Sequence, residues 1–221
     1  LALLDEALQT CSLEDAPLHR ARVLNDVAWV HARKGGYVLA TDYCNQGFSA
    51  LEKAPQDEAR HRVAADLHST LGTVRWYTGD YAQALEHFQE TLRLKEEIGD
   101  VYGMALVYNR LAGLYWARKD CALAGQYLQK SLEIRQRIGD MLGVAHAYNN
   151  LGVLAYAEDN YDQAIAYHEQ SLQIKKEIGD MQGTAGSLNN LGEACYSKGE
   201  YDRAVSYLGQ ARDICVKIGD K

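Results

Sequence analysis

The sequence of 221 residues predicts an all-α protein built from repeated pairs of antiparallel helices. The tripeptide Ile-Gly-Asp recurs every 40 residues, at positions 98–100, 138–140, 178–180 and 218–220. A period of 20–50 residues is typical of solenoids and other repeat arrays. Within one period, apolar residues recur three and four positions apart, at Ala105, Tyr108, Leu111, Ala112 and Tyr115. This spacing is that of one face of an α-helix, and no stretch shows the alternation of a β-strand.

The period divides the chain into one incomplete unit and five complete ones. We expect residues 1–16 to be the second helix of a preceding repeat, because their apolar residues have helical spacing. The complete units then span residues 17–60, 61–100, 101–140, 141–180 and 181–221. This division predicts eleven helices in one continuous solenoid. Because the chain starts at Leu1 with half of a pair, it is expected to be a fragment of a larger protein.

The residues between the predicted helices agree with this division. The glycine of each Ile-Gly-Asp can adopt the left-handed conformation that often ends a helix. The aspartate that follows can cap the next helix through a side-chain oxygen. A second short turn is predicted near the middle of each unit, for example at Gly79-Asp80 and Gly199-Glu200. Short connections of this kind make neighbouring helices antiparallel.

Composition and motifs exclude several classes of function. The net charge of −7 argues against a general nucleic-acid binder, and no apolar run is long enough for a membrane span. The five cysteines are odd in number and include no Cys-x-x-Cys, which favours free thiols in a reducing compartment and hence the cytoplasm. The seven histidines include no His-Glu-x-x-His, and no phosphate-binding loop is present. We therefore predict that the protein is not an enzyme and that it has neither a cofactor nor a metal site.

One recurring pattern resembles a known family. It consists of Leu-Gly, a tyrosine nine residues after the glycine, an alanine three residues later, and a small residue seven positions further on. The fourth unit carries it at Leu151, Gly152, Tyr161, Ala164 and Ser171. The pattern resembles the tetratricopeptide repeat (TPR), and the 40-residue form with Ile-Gly-Asp is similar to repeats of polarity adaptors and bacterial regulators. The resemblance implies a right-handed superhelical solenoid, with about five repeats and one additional N-terminal helix.

The resemblance also implies a concave groove lined by the first helix of each pair. The groove positions of the family, carried over to this sequence, are Asn25, Ser69, Trp76, Asn109, Arg110, Trp116, Asn149, Asn150, Tyr156, Asn189, Asn190 and Tyr196. They form an asparagine ladder and an aromatic stripe. An asparagine amide both donates and accepts, so it can pair with a peptide backbone, and aromatic residues are common in binding hot spots. Two other interpretations stay open: the asparagines bond neighbouring helices, or the aromatic residues are part of the core.

Three functions are compatible with these patterns. The leading hypothesis is a scaffold that binds a peptide segment of a partner protein in the groove. The second is a ligand-sensing or regulatory domain of a bacterial signalling or transcription regulator, which predicts a closed apolar pocket. The third is an oligomerisation or spacer module that associates through an uncapped terminal repeat, whose last helix would expose Tyr207, Leu208, Ala211 and Ile214.

Overall fold

The structure, a computed structural model, describes residues 17–219, which form ten α-helices and no β-strand. The all-α prediction is confirmed for this part of the chain, and the helix expected over residues 1–16 lies outside it. The described part of the chain divides into two compact units, unit 1 and unit 2, with the boundary between residues 119 and 120. Among the described residues, no helix combines the length and the apolar composition that crossing a membrane requires.

Unit 1 contains the first five helices. They are α1 (Pro17–Arg33), α2 (Tyr37–Leu51), α3 (Glu58–Tyr77), α4 (Tyr81–Glu97) and α5 (Val101–Ala117). The pairs α1–α2 and α3–α4 pack most extensively, and α3 also contacts α1. A Cβ atom on Gly72 of α3 would lie 2.6 Å from the ring of Phe88 in α4, so a larger residue would separate these two helices.

Unit 2 contains the other five helices. They are α6 (Cys121–Ile138), α7 (Met141–Ala157), α8 (Tyr161–Glu177), α9 (Met181–Lys198) and α10 (Tyr201–Ile218). The first and second helices of each pair approach equally closely here. A Cβ on Gly152 would lie 2.6 Å from His168, and a Cβ on Gly192 would lie 2.6 Å from Leu208. We call α1, α3, α5, α7 and α9 the first helices, and the others the second helices.

The Ile-Gly-Asp turns behave as the sequence predicts. Gly99, Gly139 and Gly179 have φ values of 66°, 73° and 74°, which places them in the left-handed region. The aspartate after each of them accepts a hydrogen bond from the backbone N–H three residues later, at 2.8–2.9 Å. The predicted helix caps are therefore confirmed at these three turns.

A buried cation adds to each of these turns, and sequence inspection missed it. Lys95, Arg135 and Lys175 each lie five residues before a capping aspartate, and all three are buried. Lys95 Nζ lies 3.0 Å from Asp100 Oδ2, and Arg135 Nη1 lies 2.9 Å from Asp140 Oδ2. The residue three positions after each aspartate is glycine, which at the first two turns leaves room for this ion pair, whereas Lys175 donates to Ser187 Oγ at 2.9 Å. The turn is thus a larger motif, Lys/Arg-x4-Asp-x2-Gly.

The last helix exposes apolar side chains, as predicted, but partly different ones. Leu208 of α10 is exposed, whereas Ala211 is buried and Tyr207 and Ile214 are partly buried. The most exposed apolar residues of α10 are instead Val205 and Val216, because the helix is rotated relative to the sequence-based expectation. The four cysteines in the described region form no disulfide, which agrees with the prediction of free thiols.

Candidate functional site

Three of the predicted groove residues line one cleft in unit 1. Asn25, Ser69 and Arg110 come from α1, α3 and α5, which places them on three consecutive first helices. The cleft has a volume of about 190 Å³. Its other lining residues are Asp26, Trp29, Asp66 and Thr70. The cleft is therefore lined mainly by polar and charged side chains.

Arg110 is held in place by contacts with α1, α3 and α4. Its Nη1 donates to the backbone oxygen of Ser69 at 3.2 Å and to Thr73 Oγ1 at 2.5 Å. Its Cζ lies 5.9 Å from the ring centroid of Trp29 and 6.0 Å from that of Phe88. Burial lowers the pKa of this guanidinium, although arginine side chains are not deprotonated in proteins.

The aromatic residues predicted for this unit differ from each other. Trp76 is partly buried, stands edge-on to Phe88 at 6.5 Å, and covers Gly113 of α5. A Cβ on Gly113 would lie 2.6 Å from the Trp76 indole, so Trp76 is a packing residue between first helices. Trp116 is 49% exposed and is accessible to a partner. Asn109 is partly buried on the same helix.

In unit 2 the predicted asparagines lie on α7 and α9. Asn149 Oδ1 accepts a hydrogen bond from Asn190 Nδ2 at 2.9 Å, which joins the two first helices. Asn150 is partly buried, whereas Asn189 is exposed and makes no side-chain hydrogen bond within the described part of the chain. The Asn149 amide group also has donors that this bond does not use.

The two predicted tyrosines of unit 2 lie at the C-terminal ends of these helices. Tyr156 is partly buried, and its hydroxyl lies 2.9 Å from Ser197 Oγ. Tyr196 is 65% exposed. Each ring packs against the tyrosine five residues later, with centroids 5.6 Å and 5.5 Å apart.

A repeated bond explains part of the asparagine ladder. Thr70 Oγ1 donates to Asn25 Oδ1 at 2.8 Å, so α1 and α3 are joined in the same manner as α7 and α9. The interpretation that the asparagines bond neighbouring helices therefore holds for Asn25, Asn149 and Asn190. It does not account for Asn189, whose amide group is exposed.

Sequence reasoning did not include Asp66 in the site. This aspartate lines the cleft and pairs with the buried Lys95, at 3.0 Å between Oδ1 and Nζ. The sequence did contain a signal for Asp66, because it lies three residues before Ser69 and therefore on the same face of α3. The cleft thus contains two carboxylates and one guanidinium, rather than amides alone.

The comparisons with known proteins agree with this architecture. A sequence model described as tetratricopeptide repeat matches residues 63–137, 103–177 and 143–217. No curated protein sequence matches the chain at a significant level.

Solved structures with the same fold include BtubC (BKLC) from P. vanneervenii. It is 21% identical, with a TM-score of 0.85 over 100% of this chain and 90% of the other. A putative kinesin light chain repeat protein from Podosopora anserina is 17% identical, with a TM-score of 0.74 over 94% and 99%.

A Rap protein complexed with competence and sporulation factor is also 17% identical, with a TM-score of 0.73 over 99% of this chain and 59% of that protein. At these identities the structural likeness establishes the fold. The three overlapping sequence matches extend over more than half of the residues, and the helix pairs with their small-residue contacts agree with them. The chain belongs to the tetratricopeptide repeat family.

Proposed function

We propose that this chain is a protein-interaction module, without catalytic activity of its own, that binds an extended peptide segment of a partner. The segment would lie across α7 and α9, the first helices of unit 2. The observation that carries this proposal is the pair of exposed residues Asn189 and Tyr196 on α9, one polar and one aromatic. They occupy the repeat positions that Asn149 and Tyr156 hold on α7, 40 residues earlier.

The chemistry of these side chains suits an extended chain. An exposed amide such as Asn189 can accept from a peptide N–H and donate to a peptide C=O, whatever the peptide side chains are. The Asn149 amide keeps its donors available while its oxygen holds Asn190. Tyrosine adds apolar contact area at a small cost in side-chain entropy. Together these groups offer affinity through the backbone and additional contacts at intervals of one repeat.

The polar cleft in unit 1 supports the same proposal over a small-ligand sensor. Small-molecule pockets are mostly apolar and enclose their ligand. The cleft between Asn25, Ser69 and Arg110 is lined mainly by polar side chains and holds only about 190 Å³. The fold supports peptide binding by analogy alone, since one protein of this fold is described as a complex with competence and sporulation factor. The cytoplasm stays our proposed location.

A random peptide library displayed on phage tests the proposal. The chain would be immobilised, enriched peptides synthesised, and their affinities measured by fluorescence anisotropy. Asn189→Ala should weaken the enriched peptides by about tenfold, because a lost bidentate amide contact costs roughly 1–3 kcal/mol. Asn45→Ala is the matched control, since Asn45 is an exposed asparagine on the second helix α2. No enrichment, or equal affinity for both variants, would overturn the proposal.

Self-association is a second candidate, and the last helix favours it. Val205 of α10 is 72% exposed, whereas Ile165, its equivalent on α8, is 6% exposed. An apolar face of this kind is covered by a further repeat or by a second copy in solenoids, since each repeat packs on its neighbours. Light scattering over a range of concentrations tests this candidate. Val205→Lys should then shift the molecule to the monomer, and a wild-type monomer at every concentration would exclude the candidate.

A further inference from the structure

In unit 2 a row of tyrosines, which we call the tyrosine edge, lies where each first helix ends and the following second helix begins. Its members are Tyr156, Tyr161, Tyr196 and Tyr201. The rings pack in two pairs, and the outer pair is open to solvent, with Tyr196 65% and Tyr201 61% exposed. Within the described residues, no arginine or lysine of the chain lies over any of these four rings.

Unit 1 shows what such rings bind when a cation is near. The guanidinium of Arg33 lies 5.9 Å from the ring centroid of Trp29, and that of Arg118 lies 5.9 Å from the ring of Tyr115. Aromatic rings attract a cation placed over their face. In these places the chain supplies the cation itself, as Arg203 also does over the ring of Tyr207 in unit 2, whereas the rings of the tyrosine edge have no such cation within the described residues.

The charges next to the tyrosine edge favour such a cation. Glu158, Asp159 and Glu193 are exposed, and none of them forms an ion pair within the described residues, although Asp159 Oδ1 accepts a hydrogen bond from the Tyr161 hydroxyl at 2.7 Å. The nearby cations are already paired: Lys198 with Asp162 and Glu200, and Arg203 with Glu169 and Glu200.

The fold does not require these carboxylates. Glu158 and Asp159 hold the repeat positions that Arg118 and Lys119 hold 40 residues earlier. Asp159 and Lys119 have nearly the same backbone conformation, with φ values of 57° and 62°. The same turn therefore forms with either charge. The backbone of this turn thus does not require an acidic residue.

We propose that the tyrosine edge binds arginine side chains, so that the partner segment on the first helices of unit 2 is basic. This inference rests on the proposed peptide-binding function. The guanidinium would stack on Tyr196 while its N–H groups donate to Glu193, which lies three residues earlier on the same helix face. Arginine fits better than lysine, because its planar group stacks on rings and pairs with carboxylates through two hydrogen bonds.

Three synthetic dodecapeptides test the proposal by fluorescence anisotropy. They share a Gly/Ser framework and carry arginine, lysine or glutamate at every third position. The arginine peptide should bind about tenfold more tightly than the lysine peptide, and the glutamate peptide should not bind. Tyr196→Ala should remove the preference for arginine, whereas Tyr196→Phe keeps the ring and should retain it.

The charge reversal Glu158→Arg with Asp159→Lys provides the strongest variant. It gives the turn the residues of the preceding repeat, so circular dichroism should show an unchanged fold. Affinity for the arginine peptide should fall at least tenfold, and affinity for the glutamate peptide should rise. Both changes should be larger at low salt, because salt screens interactions between exposed charges. Equal binding of the arginine and glutamate peptides, or no effect of the reversal, would overturn the proposal.

The phage selection separates this proposal from the function on which it rests. Enriched peptides that depend on Asn189 but show no excess of arginine would overturn the basic-segment proposal and leave the peptide-binding function intact. A selection without any enriched peptide would overturn both. An excess of arginine that Glu158→Arg with Asp159→Lys abolishes would support both.

Discussion

The replacement Gly143→Ala tests the ion-paired turn that joins α6 to α7. A Cβ atom at this position would lie 1.8 Å from Arg135 Nη1 and 2.0 Å from Asp140 Oδ2, the two atoms that form the ion pair. Both atoms end flexible side chains, so the new methyl group can be accommodated only if the pair separates. The same movement takes Asp140 away from the backbone N–H that it caps.

The magnitude follows from three contributions. Breaking a buried ion pair by deleting one partner costs about 3–5 kcal/mol, which is an upper limit here because both partners remain. Loss of an N-cap costs about 1 kcal/mol. Alanine is favoured over glycine inside a helix by about 1 kcal/mol, which opposes the two losses. We expect the free energy of unfolding to fall by about 1–3 kcal/mol, with Tm lower by roughly 2–4 °C for each kcal/mol.

Gly186→Ala is the matched control for this experiment. Gly186 lies inside α9, another first helix, and a Cβ there would have no atom within 4 Å. This variant should therefore gain about 1 kcal/mol from helix propensity alone. Thermal melts and urea titrations followed by circular dichroism compare the two proteins. If Gly143→Ala were as stable as Gly186→Ala, the ion pair would not occupy the space that the glycine leaves.

Three further outcomes follow from the same structure. Burial raises the pKa of Asp100, but the hydrogen bonds that its carboxylate accepts from a backbone N–H and from a buried lysine outweigh this effect and hold the pKa below its usual value. The stability that this carboxylate contributes is present above about pH 4 and is lost as the pH falls through the folded-state pKa. The difference in stability between Asp100→Asn and wild type should therefore be smallest in urea titrations at acid pH. The Nδ1 atoms of His68 and His87 lie 3.0 Å apart, and burial and the facing ring lower the pKa of His68 to about 4. The unfolded chain therefore binds more protons below about pH 6.5, stability falls from there towards pH 4, and replacing both histidines by tyrosine should reduce this slope in pH-dependent melts. Asn149→Ala should lower the free energy of unfolding by about 0.5–1.5 kcal/mol, and Asn189→Ala should change it by less than about 0.5, as measured by urea titration.

The fold was predictable because its determinants repeat at a fixed spacing. Each Ile-Gly-Asp supplies a left-handed glycine and a capping aspartate, and these act within a few residues of themselves. The buried cation was visible in the sequence as well, five residues before each aspartate. It was missed because lysine and arginine near the end of a helix are usually solvated, and only the side-chain contacts reveal that Lys95 and Arg135 are buried.

The candidate site was less predictable, because it depends on contacts between helices distant in sequence. Trp76 has the spacing of a groove residue, but the space above Gly113 allows its indole to pack between first helices. Asn149 has the same spacing as Asn189, yet one bonds a neighbouring helix and the other is exposed. A helical period predicts the side of the helix on which a residue lies. It does not predict the smaller difference in rotation that decides whether the side chain packs against a neighbouring helix or is exposed.

The positions at which the repeats differ are therefore the ones to examine for function. Where the repeats agree, as in the aspartate caps and the small residues between helices, the structure shows a folding role. The turn after the first helix is basic at Arg118 and acidic at Glu158, although its backbone is nearly the same in both repeats. Since the backbone forms with either charge, a partner is the reason that we propose for the acidic one. Charge reversal at this turn should thus change binding while leaving Tm nearly unchanged, the opposite of what Gly143→Ala should do.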